Sequence, residues 1–325
     1  MAETSIPPPL FSVVVPVYCE ASCLETSLDA IAREAGTLNE RFEIIVVDDG
    51  STDDTWAVLH RISIRLPFVG GISFSRNFGK DAAIAAGIES ARGQAVIVMD
   101  ADLQHPPELI PVMLRLWRES GADVVDAVKT YSNRESLAKR LRAMIFYTLL
   151  SRLSAYDLTG SSDYKLLDRR VVDAWLRLDE RSLFFRGLTA WMGFRHVRVP
   201  FIVPERVSGQ TRWSVYRLIK LAATAVTAFS SLPLHLITIT GIGFFAFAVV
   251  LGIQTLLVKF HGDAVSGFAT VIILLLIIGS ALMIGLGIIG EYLSRIYIEV
   301  KHRPRYIVAA TMSASGINPS SQSHF

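Results

Sequence analysis

Short apolar runs alternate with longer mixed segments through the first hundred or so positions, and the alternation predicts the fold. FSVVVPVY (11–18) is rich in β-formers and ends at Pro16, and the segment from about Ala21 to Glu34 has helical spacing. FEIIVVDDGSTDDT (42–55) repeats the design: an apolar strand, two acids, a turn at Gly50 and Ser51, then a helix through His60 that Ser51 or Thr52 is placed to cap. FVGGISFSRN follows as a third strand, DAAIAAGIESA (81–91) as an Ala-rich helix, and VIVMD as a fourth strand. Strands alternating with helices imply parallel pairing in a doubly wound sheet, with active groups on the loops after each strand. Tyr18 to Glu20, Asp48 to Asp49 and Asp100 to Asp102 then converge on one edge, where open α/β sheets bind ligands.

The pattern changes further along. SLAKRLRAMIFYTLLSRL (136–153) and SVYRLIKLAATAVTAF (214–229) each set Lys and Arg beside a wide apolar face. Such a helix lies on an anionic membrane surface or packs in a core with its basic side chains reaching out. The second segment, directly before a long apolar stretch, is expected on the membrane. Positions 232–258 and 268–292 are each apolar for long enough to cross a hydrocarbon core of about 30 Å. The loop between them carries one Lys, whereas Arg206, Arg212, Arg217 and Lys220 precede the pair and Arg295, Lys301, Arg303 and Arg305 follow it. That bias places both flanks in the cytoplasm. Ala248 with Gly252, and Ala281 with Gly285, are small-residue pairs suited to helix packing within the chain or between protomers of a homo-oligomer.

Composition agrees with a soluble body carrying a membrane anchor. The 325 residues are 51% hydrophobic with mean hydropathy +0.41, and the apolar excess lies after position 230. A net charge of +2 excludes a nucleic-acid binder with a wholly basic surface. MAETSIPPPLF has neither the positive flank nor the apolar core of a signal peptide, so the catalytic part is expected to start and stay in the cytoplasm. Cys19 and Cys23 are read as reduced thiols without a role.

The chemistry concentrates in VIVMDADLQHPP (96–107), a buried strand that delivers Asp100 and Asp102 to its carboxyl end. Two acids one residue apart suit a hard divalent cation that also holds a diphosphate, because Mg²⁺ or Mn²⁺ takes few protein oxygens and shares the rest with phosphates. The plain alternative is a turn with two solvated acids. Neither G-x-G-x-x-G nor G-x-x-x-x-G-K-[ST] occurs, so a nucleotide would be held by acids, a cation and basic side chains.

Taken in order, VVVPVYCE, VVDDGSTDDT, FSRNFGKDAAIAAG, MDADLQHPPE, SSDYKLLDRR and ERVSGQTRW resemble glycosyltransferase family 2, and within it the polyprenyl-phosphate glycosyltransferases. The resemblance spans about residues 10–305. It implies an α/β GT-A fold, Rossmann-like with a mostly parallel sheet, followed by juxtamembrane amphipathic helices and two transmembrane helices. The expected division is a tail at 1–10, the GT-A domain at 11–213, an amphipathic helix at 214–230, spans at 231–258 and 268–292 joined by an external loop at 259–267, and a cytoplasmic tail at 293–325. The protein is then a multi-pass inner-membrane enzyme in contact with membrane lipids, with both termini cytoplasmic.

By the same resemblance Pro16, Tyr18 and Glu20 line the nucleotide pocket, Asp48 or Asp49 accepts a hydrogen bond from the base, and Lys80 and Asp100 sit near the nucleotide, with Arg76 beside them. Asp100, Asp102 and Gln104 match the metal positions, and Asp102 and Asp163 the catalytic acids. Lys129, Arg134, Arg140 and Arg212 match the basic acceptor side. Thr211-Arg212 replaces the family's frequent Ser-Lys, and Thr224-Ala225 its frequent Asp-Gly. The implied reaction is an inverting, cation-dependent transfer of a hexose from a nucleotide sugar to polyprenyl phosphate, with UDP-glucose and undecaprenyl phosphate favoured over GDP-mannose chemistry. A processive polysaccharide synthase would need a channel that two helices do not easily enclose, and intact Asp100, Asp102 and Asp163 argue against a non-catalytic scaffold.

Overall fold

The computed structural model describes residues 8–130, 162–181, 183–202, 232–260 and 268–314. They fall into two compact units, one ending at Trp213 and resuming at Arg303, the other built from 214–302. The first holds a sheet of eight strands: β1 (Phe11–Val17), β2 (Phe42–Asp48), β3 (Val69–Phe74), β4 (Ala95–Val98), β5 (Val124–Thr130), β6 (Lys165–Asp168), β7 (His196–Ile202) and β8 (Val308–Met312). Its helices are α1 (Leu24–Gly36), α2 (Thr55–Arg65), α3 (Lys80–Ser90), α4 (Leu109–Ser120), α5 (Arg169–Leu176) and α6 (Phe185–Trp191).

The spatial order is β7-β5-β6-β4-β1-β2-β3-β8. β4, β1, β2 and β3 are parallel, as the alternating pattern predicts, but β6 runs antiparallel to both β4 and β5, and β8 antiparallel to β3. The sheet is therefore mixed, as expected of the GT-A class. Every residue of β1 is buried, since helices cover both faces and leave no polar side to alternate with. Phe11, Val13 and Val15 pack with Leu24, Leu28 and Ile31 of α1 and Leu59 and Ile62 of α2. On the other face α3 buries a continuous run from Ala82 to Ile88 against β1 and β2.

Register decides what the sheet presents. Val17 pairs with Asp48 and Val14 with Val98, so the segments following β1, β2 and β4 leave the sheet at the same end. Reversed β6 pairs Lys165 with Val98, and so brings Asp163, two residues earlier, in at that end too. A parallel β6 would carry Asp163 to the opposite edge.

Several expectations change. α2 runs on to Arg65 instead of ending near His60, and neither Ser51 nor Thr52 caps it. Ser51 Oγ instead accepts the Cys19 N–H at 2.8 Å, and Asp53, nearer the helix, takes the Thr55 N–H at 3.1 Å. In the stretch expected to be a tail, 308–312 is an edge strand. Tyr306 stacks on Phe74 with centroids 4.7 Å apart, and Arg305 donates to Glu89 and to the carbonyls of Leu178 and Glu180. Arg305 is thus held within the first unit by Glu89, Leu178 and Glu180.

The second unit contains α7 (Leu232–Phe260) and α8 (Phe268–Val300), the latter eight residues longer than the expected span. Among the described residues, one stretch, Ile277–Val300, is long and apolar enough to cross a membrane, and Ile237–Leu251 is a shorter apolar stretch. Gly285 lies against α7, where an added Cβ would meet Ile237 Cγ2 at 3.4 Å. The expected amphipathic segments 136–153 and 214–230 lie outside the described residues.

Gly87 of α3 is the tightest helix–strand contact: a Cβ there would stand 2.1 Å from Val14 Cγ1. Gly87→Ala gains about 1 kcal/mol of helix propensity but overpacks a central strand, which costs typically 1–3 kcal/mol. The variant is expected to melt several degrees below the parent in a thermal unfolding scan.

Candidate active site

A cleft opens at the strand ends, lined by Pro16, Val17, Tyr18, Glu20, Asp49, Lys80, Ala83, Asp100, Ala101 and Asp102. Among them are the expected Pro16, Tyr18, Glu20, Asp49, Lys80, Asp100 and Asp102, whereas Asp48, Gln104 and Arg76 do not line it, Arg76 lying over the Phe78 ring and donating to the Asn77 carbonyl at 2.9 Å. Asp48 is 1% exposed and spent within the turn, accepting from Ser51 N at 3.0 Å and Ser73 Oγ at 3.0 Å. Gln104 does not line the cleft; its backbone N–H donates to Asp102 Oδ1 at 3.0 Å. Asp49 does reach the cleft while also accepting the N–H groups of Phe78 and Gly79, at 2.7 and 2.9 Å. It thereby ties the loop before α3 to the end of β2, and burial pushes its carboxyl upward.

Glu20, Asp49, Asp100, Asp102 and Asp163 would repel one another if only acids met here. Lys80, at the start of α3, answers with its Nζ 2.6 Å from Asp100 Oδ1 and 2.7 Å from Asp163 Oδ2. Arg186, in the first turn of α6, grips Asp163 with two prongs, Nε to Oδ1 at 2.6 Å and Nη2 to Oδ2 at 2.7 Å. The α6 start is itself held, because the Phe185 N–H donates to Asp81 at 2.9 Å. Burial alone would raise the Asp163 carboxyl, but the Arg186 and then the Lys80 charges outweigh it and hold it far below the usual carboxylate range. Asp163 is thus ionised at any working pH. Lys129 on β5 belongs to the same field, its amine pushed down by burial and next by the Arg186 charge. Arg134, Arg140 and Arg212 lie outside the described residues.

The turn carrying Asp102 is tight. Leu103 sits at φ 56°, a left-handed conformation that costs a non-glycine residue about 1 kcal/mol or more. Anchors on both sides hold it: Tyr164 Oη donates to the Pro106 carbonyl at 3.0 Å, and His105, 2% exposed, stacks on Tyr164 at 5.0 Å. His105 Nδ1 accepts the Asp100 N–H at 3.0 Å. Burial pushes the imidazole pKa down to about 4.

Among the described residues, no group of three or more His, Cys, Asp and Glu side chains forms a ready metal cage. The donor set fits a different kind of site. Asp100 Oδ1 is buried and lies beside an ammonium without an aligned hydrogen bond, and Asp102 stands one residue away facing the same cleft. Two hard carboxylates with room for phosphate oxygens suit Mg²⁺ or Mn²⁺.

Arg186, His105 and Asp81 went unread in the sequence. His105 lies three residues after Asp102, within the stretch VIVMDADLQHPP, so its closeness to Asp100 was available as a signal. Arg186 and Asp81 pair across long separations, which no local pattern reveals.

Residues 12–176 match glycosyl transferase family 2. A glycosyltransferase of Bacillus subtilis strain 168 is 38% identical over 92% of this chain and 93% of its own length. The bactoprenol glucosyl transferase of Shigella phage SfV is 35% identical over 91% of this chain and 97% of its own, and a prophage bactoprenol glucosyl transferase homolog of Escherichia coli K12 is 34% identical over the same shares. Among solved structures, glucosyl-3-phosphoglycerate synthase from Mycobacterium tuberculosis, with Mn²⁺, UDP-glucose and phosphoglyceric acid, covers 67% of this chain and 79% of its own at 20% identity and TM-score 0.47. Fold, cleft and relatives together define a glycosyltransferase. The chain belongs to glycosyl transferase family 2.

Two measurements bear on this geometry. Arg186→Gln takes the two-pronged guanidinium from the buried Asp163 and leaves it facing Lys80. Breaking a fully buried pair costs about 3–5 kcal/mol, and the loss here should fall at or below the lower end because Arg186 is 31% exposed. Chemical denaturation would read it. His105 is neutral when folded, with a pKa of about 4 against about 6.5 unfolded, so the unfolded state binds the extra proton between those values. Its contribution to stability is complete above about pH 6.5 and is lost as the pH falls toward 4, reaching about 2 kcal/mol at pH 5. Without divalent cations, melting temperature should fall from pH 7 to pH 5, and less steeply in His105→Asn.

Proposed function

We propose that the protein transfers one hexose, glucose from UDP-glucose in the favoured reading, to undecaprenyl phosphate at the cytoplasmic face of the membrane, with inversion at the sugar carbon. The observation that carries this reading is the cleft in which Asp100 and Asp102 face Lys80 and Asp163. Similarity over 91% of the chain to a bactoprenol glucosyl transferase supports the lipid acceptor. Asp100 and Asp102 would hold a divalent cation that neutralises charge on the departing diphosphate, while Gln104 braces Asp102 through its backbone N–H.

The remaining steps belong to side chains. Pro16, Tyr18 and Glu20 receive the nucleoside, with Asp49 the acid nearest to read its base. Lys80 turns from the carboxylates to the diphosphate oxygens. A lipid phosphate has a second pKa of about 6 and arrives already ionised, so its attack requires little proton removal. Asp163, gripped by Arg186 and Lys80, serves as a bracket that positions positive charge rather than as a base. Lys129, Arg134, Arg140 and Arg212 supply cations to the acceptor phosphate.

The membrane arrangement in this reading is two crossings with the sheet in the cytoplasm, and chain connectivity supports it. β7 and β8 belong to one sheet, so between Ile202 and Arg303 the chain must cross the membrane an even number of times. With Ile277–Val300 as one crossing, α7 supplies the other, and both termini stay in the cytoplasm. The small-residue faces of these helices would join protomers in a homo-oligomer.

The test is to incubate membranes containing the protein with undecaprenyl phosphate and a panel of labelled nucleotide sugars, then extract the lipid. Label should enter the organic phase from UDP-glucose and require Mg²⁺ or Mn²⁺. Asp102→Asn is expected to lower transfer roughly 100-fold or more, since even outer partners of metal ligands cost 10–100-fold. Undiminished transfer by that variant would reject the cation assignment.

A further inference from the structure

His105, three residues after the D-x-D, has geometry that a packing role does not require. His105 lies under the cleft, 2% exposed, between the ring of Tyr164 (centroids 5.0 Å, nearly parallel) and the edge of Phe201 (6.1 Å). An apolar ring would fill that slot equally well. What only an acceptor can do is receive the Asp100 backbone N–H, which Nδ1 does at 3.0 Å. A backbone amide can only donate, so Nδ1 carries no proton and the neutral ring bears its hydrogen on Nε2. Nε2 in turn stands 3.9 Å from Asp100 Oδ2. That separation is too long for a hydrogen bond, so the bond the ring makes to this residue is the one to its backbone N–H.

The other Asp100 oxygen, Oδ1, is 2.6 Å from Lys80 Nζ. Any cation or diphosphate that draws Lys80 away leaves Asp100 free to rotate about its side-chain bonds. A backbone held at its N–H by His105 still fixes the point about which that rotation turns, and so where the carboxylate stands beside the cleft. The strained Leu103, with Asp102 accepting the Gln104 N–H, makes the following turn equally dependent on a fixed Asp100 backbone.

We propose that His105 is a positioning residue for sugar transfer, fixing the Asp100 backbone through Nδ1 so that the Asp100 carboxylate meets the cation from one position. The proposal rests on the cation reading given above. His105 touches no substrate and acts through Asp100, as outer partners of metal ligands do.

Isosteric variants separate its functions. Asn carries an oxygen where Nδ1 stands and keeps the acceptor for the Asp100 N–H; Gln carries its polar atoms at the Nε2 distance and leaves that amide unpaired; Phe keeps the stack alone. Mn²⁺ binding to the purified full-length protein, followed by the electron paramagnetic resonance of free Mn²⁺, should weaken no more than about threefold in His105→Asn and roughly tenfold or more in His105→Gln and His105→Phe. Hydrogen exchange at the Asp100 amide should stay slow in the wild type and His105→Asn and accelerate in the other two. Equal Mn²⁺ affinity and equal exchange in all three variants would overturn the proposal, as would Asn behaving like Phe. If the wild type binds no Mn²⁺ the cation reading itself fails, and Asp100 amide exchange still decides whether His105 holds that backbone.

Discussion

Everything at the functional end of this protein depends on neutralising a crowd of carboxylates. Four strands deliver acids to one place, and the cluster is tolerable only because Lys80 bridges Asp100 and Asp163 while Arg186 closes on Asp163 from the far side. The cations come from the first turns of α3 and α6, so the packing of two helices and the ionisation of the cleft are one event. Asp81 makes the coupling explicit: a carboxylate on α3, next to Lys80, receives the backbone at the start of α6. Loosening either helix would leave buried acids facing one another in a medium of low polarity, where unpaired charge costs several kcal/mol.

The same arrangement gives the acids different surroundings. Asp163 lies between Arg186 and Lys80, whose charges hold it ionised. Asp100 shares the Lys80 ammonium with it and has its backbone held by His105, while Asp102 accepts the Gln104 backbone N–H. The cations therefore concentrate on Asp163, and the Asp100–Asp102 pair is the less neutralised part of the cleft.

The parallel half of the sheet was readable because each of β1 to β4 is a short apolar run followed by turn residues, and burial on both faces removes any competing alternation. The acids at the strand ends were readable for the same reason. β6 was harder: KLLD is four residues long and its reversed direction comes from pairing with β4, seventy positions away. β8, VAATM, alternates half-buried and exposed positions as an edge strand does, yet it follows a long apolar helix and so passed for a tail. Arg186 and Asp81 carried no local signal because their partners are distant in sequence. The cap of α2 was misjudged where five polar residues compete for the same few N–H groups, and the nearer Asp53 prevailed over Ser51 and Thr52.

The pairing of β8 with β3 has a consequence in time as well as in space. A ribosome releases β3 long before β8, and the two membrane-unit helices are made between them. Through that interval the edge of β3 offers unpaired N–H and C=O groups, the kind of surface that recruits strands from other chains. Phe74, which leads through Phe78 to the loop held by Asp49, waits just as long for the Tyr306 ring. Among the described elements β8 is made after both helices, so the sheet gains its last edge strand, and Phe74 its Tyr306 neighbour, only once those helices have been synthesised.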